Sequence, residues 1–393
     1  MAERNLDFDT VTDRTGTSSL KFDFAARRGK PDDLLSMWVA DMDFRTSSYI
    51  QDALISQAQH GIYGYTETKE EYFEILKGWM KRQYDWDVDI RWLVKTPGIV
   101  FALAMAVQAF TKEGDAVLIQ QPVYYPFSEV IEDNHRRLVD NTLVLREDGS
   151  YGIDFEDFEK KIEEEQVKLF FLCNPHNPVG RAWTKEELCR IGDLCVKHNV
   201  LVVSDDIHAD FTWNGQHLIY AKLKPEFAEH SIICKSPTKT FNIAGLQISN
   251  IFIPNSRLRH AFRRQVGAAG YSQCNGAGIR ACEAAYTHGE EWMQAMKEYV
   301  KANIEYTYEF VKANLPELRM AKPEATYLVW LDCRGLGLDA SQLEDLIIKK
   351  AKLWLDGGFI FGPAGEGFQR VNVACPRSVL EEALGRLERA VHG

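Results

Sequence analysis

The segment SPTKT, residues 236–240, closely follows the apolar run SIIC and contains Lys239 with Ser236 and Thr238 just before it. A lysine just past a buried strand can form a Schiff base with a carbonyl compound, and neighbouring hydroxyl groups can donate hydrogen bonds to a phosphate. Most lysines are solvated surface charges, and this chain has 46 lysines and arginines. The segment on its own therefore leaves both interpretations of Lys239 open.

Polar residues also follow three other apolar runs. Tyr124 and Tyr125 come after AVLIQ, Asn174 comes after LFFLC, and Asp205 comes after LVVS. In open α/β sheets, ligands bind beyond the carboxyl ends of the strands, so these segments are expected to lie near Lys239. Each of these segments alone is weak evidence for a binding site, because asparagine and aspartate are common in turns and tyrosine is common in protein cores. Their joint placement predicts one site.

The elements that would hold these residues alternate between strands and helices. Residues 69–82 place apolar side chains on one helical face, and the run IVFALAMAVQAF is typical of a buried helix. Thr184 and Glu187 form a capping box that begins another helix. The run NVLVVS is typical of a strand buried on both faces. The pattern predicts an α/β fold in which helices cover a parallel or mixed sheet.

The pattern changes near residue 290, where a long helix leads to the strands TYLVWL and RVNVA and a final helix. We expect three parts: an N-terminal arm over residues 1–50 that joins the small domain, a large domain over 51–289, and a small α+β domain over 290–393. The length of 393 residues suits two domains.

The composition and net charge argue against some classes of function and indicate a cellular compartment. A net charge of -11 argues against non-specific binding to nucleic acid or to an anionic membrane, because both need clustered positive charge. The eight cysteines include no CxxC pair, which favours buried free thiols in a reducing compartment, and we expect no metal ion. The N-terminus lacks an apolar signal core and no apolar stretch approaches membrane-spanning length. These features predict a cytoplasmic protein.

The stretch SPTKTFNIAGLQISN resembles the cofactor-lysine motif of fold-type I enzymes that use pyridoxal 5'-phosphate (PLP). It is most similar to the cystathionine β-lyase (MalY/PatB, cystalysin-like) group of C–S lyases. The segments VADMDF, YGYTETKEEY, PVYYPF, NPHNPVGR, SDDIHADF and GFQRVNVACP resemble the same group in the same order. The resemblance covers nearly the whole chain. It implies the PLP-dependent transferase fold of type I, with a large domain around a mixed, mostly parallel sheet and a smaller α+β domain.

The resemblance also implies roles for the residues at the ring of the cofactor. Lys239 would form the Schiff base and then take the proton from the substrate Cα, and Asp205 would pair with the pyridinium nitrogen. Asn174 and His208 would lie near the ring oxygen. The remaining implied contacts of the ring and the substrate are stacking by Tyr124, a hydroxyl from Tyr125 and a carboxylate-binding guanidinium from Arg370.

The phosphate needs several donors. Gly98 and Ile99 lie at a helix start, where free N–H groups and the helix dipole favour an anion. Ser236 and Thr238 can add hydroxyl groups. Tyr65 matches a tyrosine that, in this fold, reaches the phosphate from the neighbouring subunit, which implies a homodimer with a shared active site.

The resemblance favours α,β-elimination, in which a small sulfur amino acid such as cystathionine yields a thiol, pyruvate and ammonia. An aminotransferase is the alternative, because both reactions use Lys239, Asp205 and Arg370. A second alternative is a regulatory binding protein, since one branch of the lyase group also acts as a repressor partner of a transcription activator. Cystathionine, cystine and cysteine all remain open as substrates.

Overall fold

Parallel strands pair at the centre of the computed structural model, which describes residues 3–393; residues 1 and 2 of the predicted arm lie outside the described residues. The strands in this range are β1 (Leu35–Ser36), β2 (Leu93–Thr96), β3 (Ala116–Ile119), β4 (Arg137–Asp140), β5 (Val144–Leu145), β6 (Tyr151–Gly152), β7 (Leu169–Cys173), β8 (Leu201–Asp205), β9 (Ser231–Lys235), β10 (Ser249–Phe252), β11 (Arg319–Met320), β12 (Leu328–Asp332), β13 (Leu353–Trp354), β14 (Asp356–Gly357) and β15 (Phe368–Asn372).

The central sheet has seven strands in the order β2-β10-β9-β8-β7-β3-β4. The strands from β9 to β4 pair in parallel, whereas β10 is antiparallel to both β9 and β2. Every residue of β7, β8 and β9 is buried, as expected for parallel strands covered on both faces. The predicted α/β fold with a mixed, mostly parallel sheet is confirmed.

The α-helices of the described range are α1 (Ser48–His60), α2 (Glu70–Tyr84), α3 (Ile99–Phe110), α4 (Pro126–Asp133), α5 (Phe155–Glu164), α6 (Lys185–Lys197), α7 (Tyr220–Leu223), α8 (Pro225–Glu229), α9 (Ser256–Ala268), α10 (Gly276–His288), α11 (Glu290–Asn314), α12 (Ala340–Asp345) and α13 (Arg377–His392). None of these helices is long and apolar enough to cross a membrane. The capping box of Thr184 and Glu187 begins α6 as predicted.

The two faces of the central sheet pack against separate apolar clusters. Along β8, Val202 belongs to one cluster, and Leu201 and Val203 belong to the other, because successive side chains of a strand point to opposite faces. The helices α3 and α9 bury their apolar sides in the second cluster, which includes Ala102 and Phe262. Both layers hold the strand ends rigidly, and the site lies at those ends.

A second sheet, with the order β11-β12-β15-β14, is antiparallel and lies in the C-terminal part of the chain. The N-terminal segment packs with this part: β1 pairs in parallel with β13, and Asn372 donates hydrogen bonds to the carbonyls of Val39 and Asp41, at 2.7 and 2.6 Å. The helix α1 already begins at Ser48 and packs on α10, so residues 48–50 of the predicted arm are helical. The three-part division stays a prediction.

All eight cysteines are free thiols, and seven of them are buried, as the sequence predicts. Cys173 and Cys234 lie in buried strands of the central sheet, and Cys195 and Cys282 lie in helices. Burial raises the pKa of Cys195 and Cys234 well above the usual thiol range, because a buried thiolate loses its hydration. They therefore contribute apolar packing as protonated thiols.

Candidate active site

Lys239 lines a cavity of about 210 Å³ beyond the carboxyl ends of the central strands. It follows β9 by four residues, and its Nζ donates a hydrogen bond to the carbonyl of Ala40 at 2.6 Å. Burial is the main cause that lowers the pKa of Lys239 to about 8, and the nearby charge of Arg370 lowers it further. A substantial fraction of this lysine is therefore a neutral amine near pH 8, the form that acts as nucleophile or base.

Asp205, the last residue of β8, lines the same cavity. It is 4% exposed, and burial raises the pKa of its carboxyl to about 7. The neighbouring Asp206 lies on the other face, where it accepts hydrogen bonds from Ser204 and pairs with His217 at 2.8 Å. The two successive carboxylates diverge as the strand alternation predicts, so only Asp205 faces the cavity.

His208 is buried on the cavity wall, and its Nδ1 has no hydrogen-bond partner in the described part of the chain. Burial lowers the pKa of this imidazole to about 3, and the charges of Lys239 and Arg370 act in the same direction. His208 is therefore neutral at physiological pH. It offers one ring nitrogen as donor and the other as acceptor.

Arg370 lies in the middle of β15 and is 3% exposed. Its guanidinium forms an ion pair with Asp356, which faces it in register on β14, and donates to the carbonyl of Trp38 at 2.9 Å. It also donates to Oδ1 of Asn177 at 3.1 Å, while its Nε has no partner within residues 3–393. The guanidinium is thus held in one orientation at the edge of the cavity.

Asn174 is buried but is not one of the residues that line the cavity. Its side-chain amide donates to the carbonyl of Leu218 at 3.1 Å. Asn177, three residues later in the NPHNP loop, lines the cavity instead and contacts Arg370. Both asparagines precede a proline, so the sequence motif does not distinguish them; the direction of each side chain depends on the path of the loop beyond β7.

Tyr124 and Tyr125 both line the cavity, with ring centroids 5.5 Å apart. Burial raises the pKa of each phenol, so both hydroxyl groups keep their protons at neutral pH. Asp356 further raises the pKa of Tyr125, which shows that this phenol lies near the acid that pairs with Arg370. The two tyrosines are held at the start of α4 by Pro126.

Of the residues predicted to bind the phosphate, Ile99 lines the cavity, whereas Ser236 and Thr238 do not. Ile99 lines the cavity at the first turn of α3, and this helix has no side-chain cap on its first N–H groups. A Cβ added at Gly98 would meet only open space. Ser236 and Thr238 are buried beside the site but off the cavity wall, where their hydroxyl groups bond to each other at 2.8 Å.

Tyr65 does not reach the cavity of its own chain. It is 97% exposed and lies in an irregular segment between α1 and α2. The neighbouring Ile62 and Tyr63 are also largely exposed. Any contact of Tyr65 with an active site must therefore involve another subunit.

Comparison with known proteins identifies the family. The model of the family described as aminotransferase class I and II matches residues 39–387. This chain belongs to the class I and II aminotransferases. It is also 43% identical to cystathionine beta-lyase PatB of Bacillus subtilis, over 98% of this chain and the whole length of PatB.

Solved structures of the class I and II aminotransferase fold superimpose on nearly the whole chain. A PLP-bound putative aminotransferase from Clostridium difficile 630 has a TM-score of 0.96 and 41% identity over 98% of this chain and 99% of its own. Cystalysin from Treponema denticola, which contains a pyridoxal 5'-phosphate cofactor, has a TM-score of 0.95 and 36% identity over 98% of both chains. The resemblance to the C–S lyase group within fold type I is thereby confirmed.

The cavity fits PLP. The uncapped start of α3 and the open space at Gly98 suit an anionic phosphate. The buried carboxyl of Asp205 suits a cationic ring nitrogen, and the unpartnered Nδ1 of His208 leaves a free hydrogen-bonding atom at the wall. Lys239 lines the same cavity, and its amine suits a Schiff base with the aldehyde of PLP.

Replacing Asp205 with asparagine is expected to stabilise the cofactor-free protein at pH 8 by up to about 4 kcal/mol, because the wild type must bury a carboxylate. Because folding raises the pKa of Asp205 to about 7, the free energy of unfolding of the wild type falls as the pH rises from about 4 towards 7. Urea denaturation at pH 4 and pH 8 measures this difference, which should vanish at pH 4. An Asp205→Asn protein less stable than the wild type at pH 8 would contradict the interpretation.

Proposed function

We propose that this protein is a PLP-dependent C–S β-lyase, which converts a sulfur amino acid into a thiol, pyruvate and ammonia. The observation that carries the proposal is the full-length identity of 43% with a cystathionine beta-lyase. The cavity that contains Lys239, Asp205 and Arg370 supports the proposal, because these side chains can bind the cofactor and an α-amino acid together. The substrate is a small-molecule amino acid.

The cofactor would be held by residues of different elements. Asp205 would pair with the ring nitrogen, Tyr124 would pack on the ring, and His208 would lie near the ring oxygen. Asn177 would lie near this oxygen in place of Asn174, because Asn177 lines the cavity. The first N–H groups of α3, at Ile99, would bind the phosphate.

PLP, when bound, acts as an electron sink that makes the proton on the substrate Cα removable. Arg370 binds the substrate carboxylate through its guanidinium and so fixes the direction of the Cα–H bond. Lys239 accepts the Cα proton on Nζ, helped by burial that lowers its pKa to about 8. Tyr125 keeps its phenolic proton and donates a hydrogen bond to the departing sulfur.

The test of this function is incubation of the PLP-loaded protein with L-cystathionine in the absence of any keto acid. We expect pyruvate and free thiol in equal amounts over many turnovers. Amino-group exchange that needs an added keto acid would instead make the protein an aminotransferase, the activity named for the Clostridium difficile relative. If PLP produced no absorbance band near the visible range, a regulatory binding protein would be favoured.

We further propose a cytoplasmic homodimer with shared active sites. The exposed side chains of Ile62, Tyr63 and Tyr65 lie in one segment, and their exposed fractions are 72%, 70% and 97%. An apolar segment of this kind is typical of an interface with a partner. Within the dimer, the hydroxyl of Tyr65 would reach the phosphate in the other subunit.

Replacing Tyr65 with phenylalanine is expected to raise the dissociation constant of PLP about tenfold, the usual effect of losing one hydrogen bond to a charged group. Tyr63→Phe is the matched control, because Tyr63 lies in the same exposed segment and should leave the constant within about twofold. Spectroscopic titration of the cofactor-free dimer measures both. Equal constants for the wild type and Tyr65→Phe would refute the contact.

A further inference from the structure

A second cavity, of about 470 Å³, adjoins the one that contains Lys239. Trp38, Tyr125 and Asp356 line both cavities and therefore form the wall between them. The backbone of Trp38 and the carboxylate of Asp356 are also the groups that hold Arg370. A substrate whose carboxylate binds Arg370 would lie directly beside this wall.

Arg28 brings a positive charge to the second cavity. It ends the short 3-10 helix Ala26–Arg28, and its guanidinium lies over the ring of Trp38, 5.0 Å from the ring centroid. Trp38 in turn stacks on Trp354 with centroids 4.5 Å apart. Among residues 3–393, Arg28 has no carboxylate or carbonyl partner for its guanidinium. The other basic residue of the cavity, Lys30, is paired with Glu344.

Trp38 thus lies between the guanidinium of Arg370, at the cavity that contains Lys239, and the guanidinium of Arg28, at the second cavity. Arg370 contacts its backbone carbonyl on the side of Lys239, and Arg28 contacts its ring. Burial raises the pKa of Asp356 and of Tyr125, and the positive charge of Arg28 opposes both shifts, which places this charge within electrostatic reach of the shared wall.

Glu129 adds a negative charge to the same cavity. It lies on α4, one helical turn after Tyr125, and its carboxylate raises the pKa of that phenol. Its side chain is exposed and forms no ion pair with the described residues. Among the described residues that line it, the cavity therefore presents one unpaired cation, Arg28, and three unpaired carboxylates, of which Glu129 is the one that acts on the shared Tyr125, whereas Glu132 and Glu366 have no such effect on it.

We propose that the second cavity is a subsite for the far end of a substrate with two amino-acid heads. Arg28 binds the distal carboxylate and Glu129 binds the distal ammonium group, while Arg370 holds the carboxylate next to the bond that breaks. The inference rests on the proposed lyase function and names its substrate class: thioethers or disulfides in which the leaving thiol itself carries an α-amino acid. A single-headed substrate such as cysteine leaves the subsite unused.

The test compares two substrates that share the reacting Cβ–S bond. L-cystathionine has a distal amino-acid head, whereas S-ethyl-L-cysteine has none. For Arg28→Gln, we expect the ratio of kcat/KM for L-cystathionine to kcat/KM for S-ethyl-L-cysteine to fall about tenfold, the effect of one lost charge-assisted hydrogen bond. Glu129→Gln should lower the same ratio by severalfold.

Arg27→Gln is the matched control, because Arg27 belongs to the same 3-10 helix but is no part of the cavity wall. Its guanidinium lies over Phe24 instead, and the ratio should stay within twofold of the wild type. An unchanged ratio in both Arg28→Gln and Glu129→Gln would overturn the subsite. If the wild-type enzyme cleaved neither substrate, the lyase function itself would fail, which is a different result.

Discussion

Lys239→Ala is expected to lower kcat at least about a thousandfold, because the variant loses both the Schiff-base amine and the base that takes the Cα proton. The absorbance band of the protein-bound Schiff base should also disappear, although PLP still binds through its phosphate and ring contacts. Pyruvate release from L-cystathionine and the absorbance spectrum measure the two effects.

Addition of a small primary amine distinguishes a chemical role of Lys239 from a structural one. The cavity around this side chain is about 210 Å³, and truncation to alanine enlarges the space for an external amine. Partial recovery of turnover with increasing amine concentration is the expected result. Normal turnover of Lys239→Ala without added amine would contradict the assignment of Lys239 as the Schiff-base lysine and as the base.

The second large effect is expected for Arg370→Leu, which should lower kcat/KM at least about a hundredfold, because the substrate carboxylate loses the guanidinium that binds it. The variant should also lose about 3 kcal/mol of folding stability at pH 8, since Asp356 remains as a buried charge without a partner. Steady-state kinetics and urea denaturation measure the two losses.

The double variant Arg370→Leu with Asp356→Leu separates binding from stability. Removing both charges should restore much of the stability of Arg370→Leu but none of its activity. The stability loss of the single variant should also shrink as the pH falls, because burial raises the pKa of Asp356 and protonation removes the buried charge. Activity in the double variant close to that of the wild type would refute carboxylate binding by Arg370.

The sequence predicted the fold well because its signals are local. Continuous apolar runs such as LFFLC and SIIC became fully buried parallel strands, and the predicted helical face of residues 69–82 is buried in α2. Asp205 ends β8 and Lys239 follows β9 by four residues, and the edge of a parallel sheet brings both to one cavity. Strand ends in an α/β sheet are a position that spacing alone can identify.

Other parts of the site depend on contacts between distant segments. No spacing rule pairs Asp356 with Arg370, because the pairing follows from the register of β14 on β15. The contact of Lys239 with the carbonyl of Ala40 joins the loop after β9 to the N-terminal segment, 199 positions earlier in the sequence. Which of the two asparagines, Asn174 or Asn177, lines the cavity likewise depends on the path of the loop beyond β7. The proposed role of Tyr65 requires a second subunit, which one chain does not contain.

The contact between Trp38 and Arg370 has a consequence for synthesis of the protein. The carbonyl and the guanidinium are 332 positions apart in the sequence, and Asn372 bonds to Val39 over a similar separation. During translation, the segment around Trp38 leaves the ribosome long before β15 is synthesised. The carbonyl of Trp38 therefore lacks its contact with Arg370 until the chain is almost complete. Contacts of such separation form late in folding. Loading with cofactor is therefore expected to follow release from the ribosome, and a chain that stops short of β15 would lack the substrate-binding side of its site.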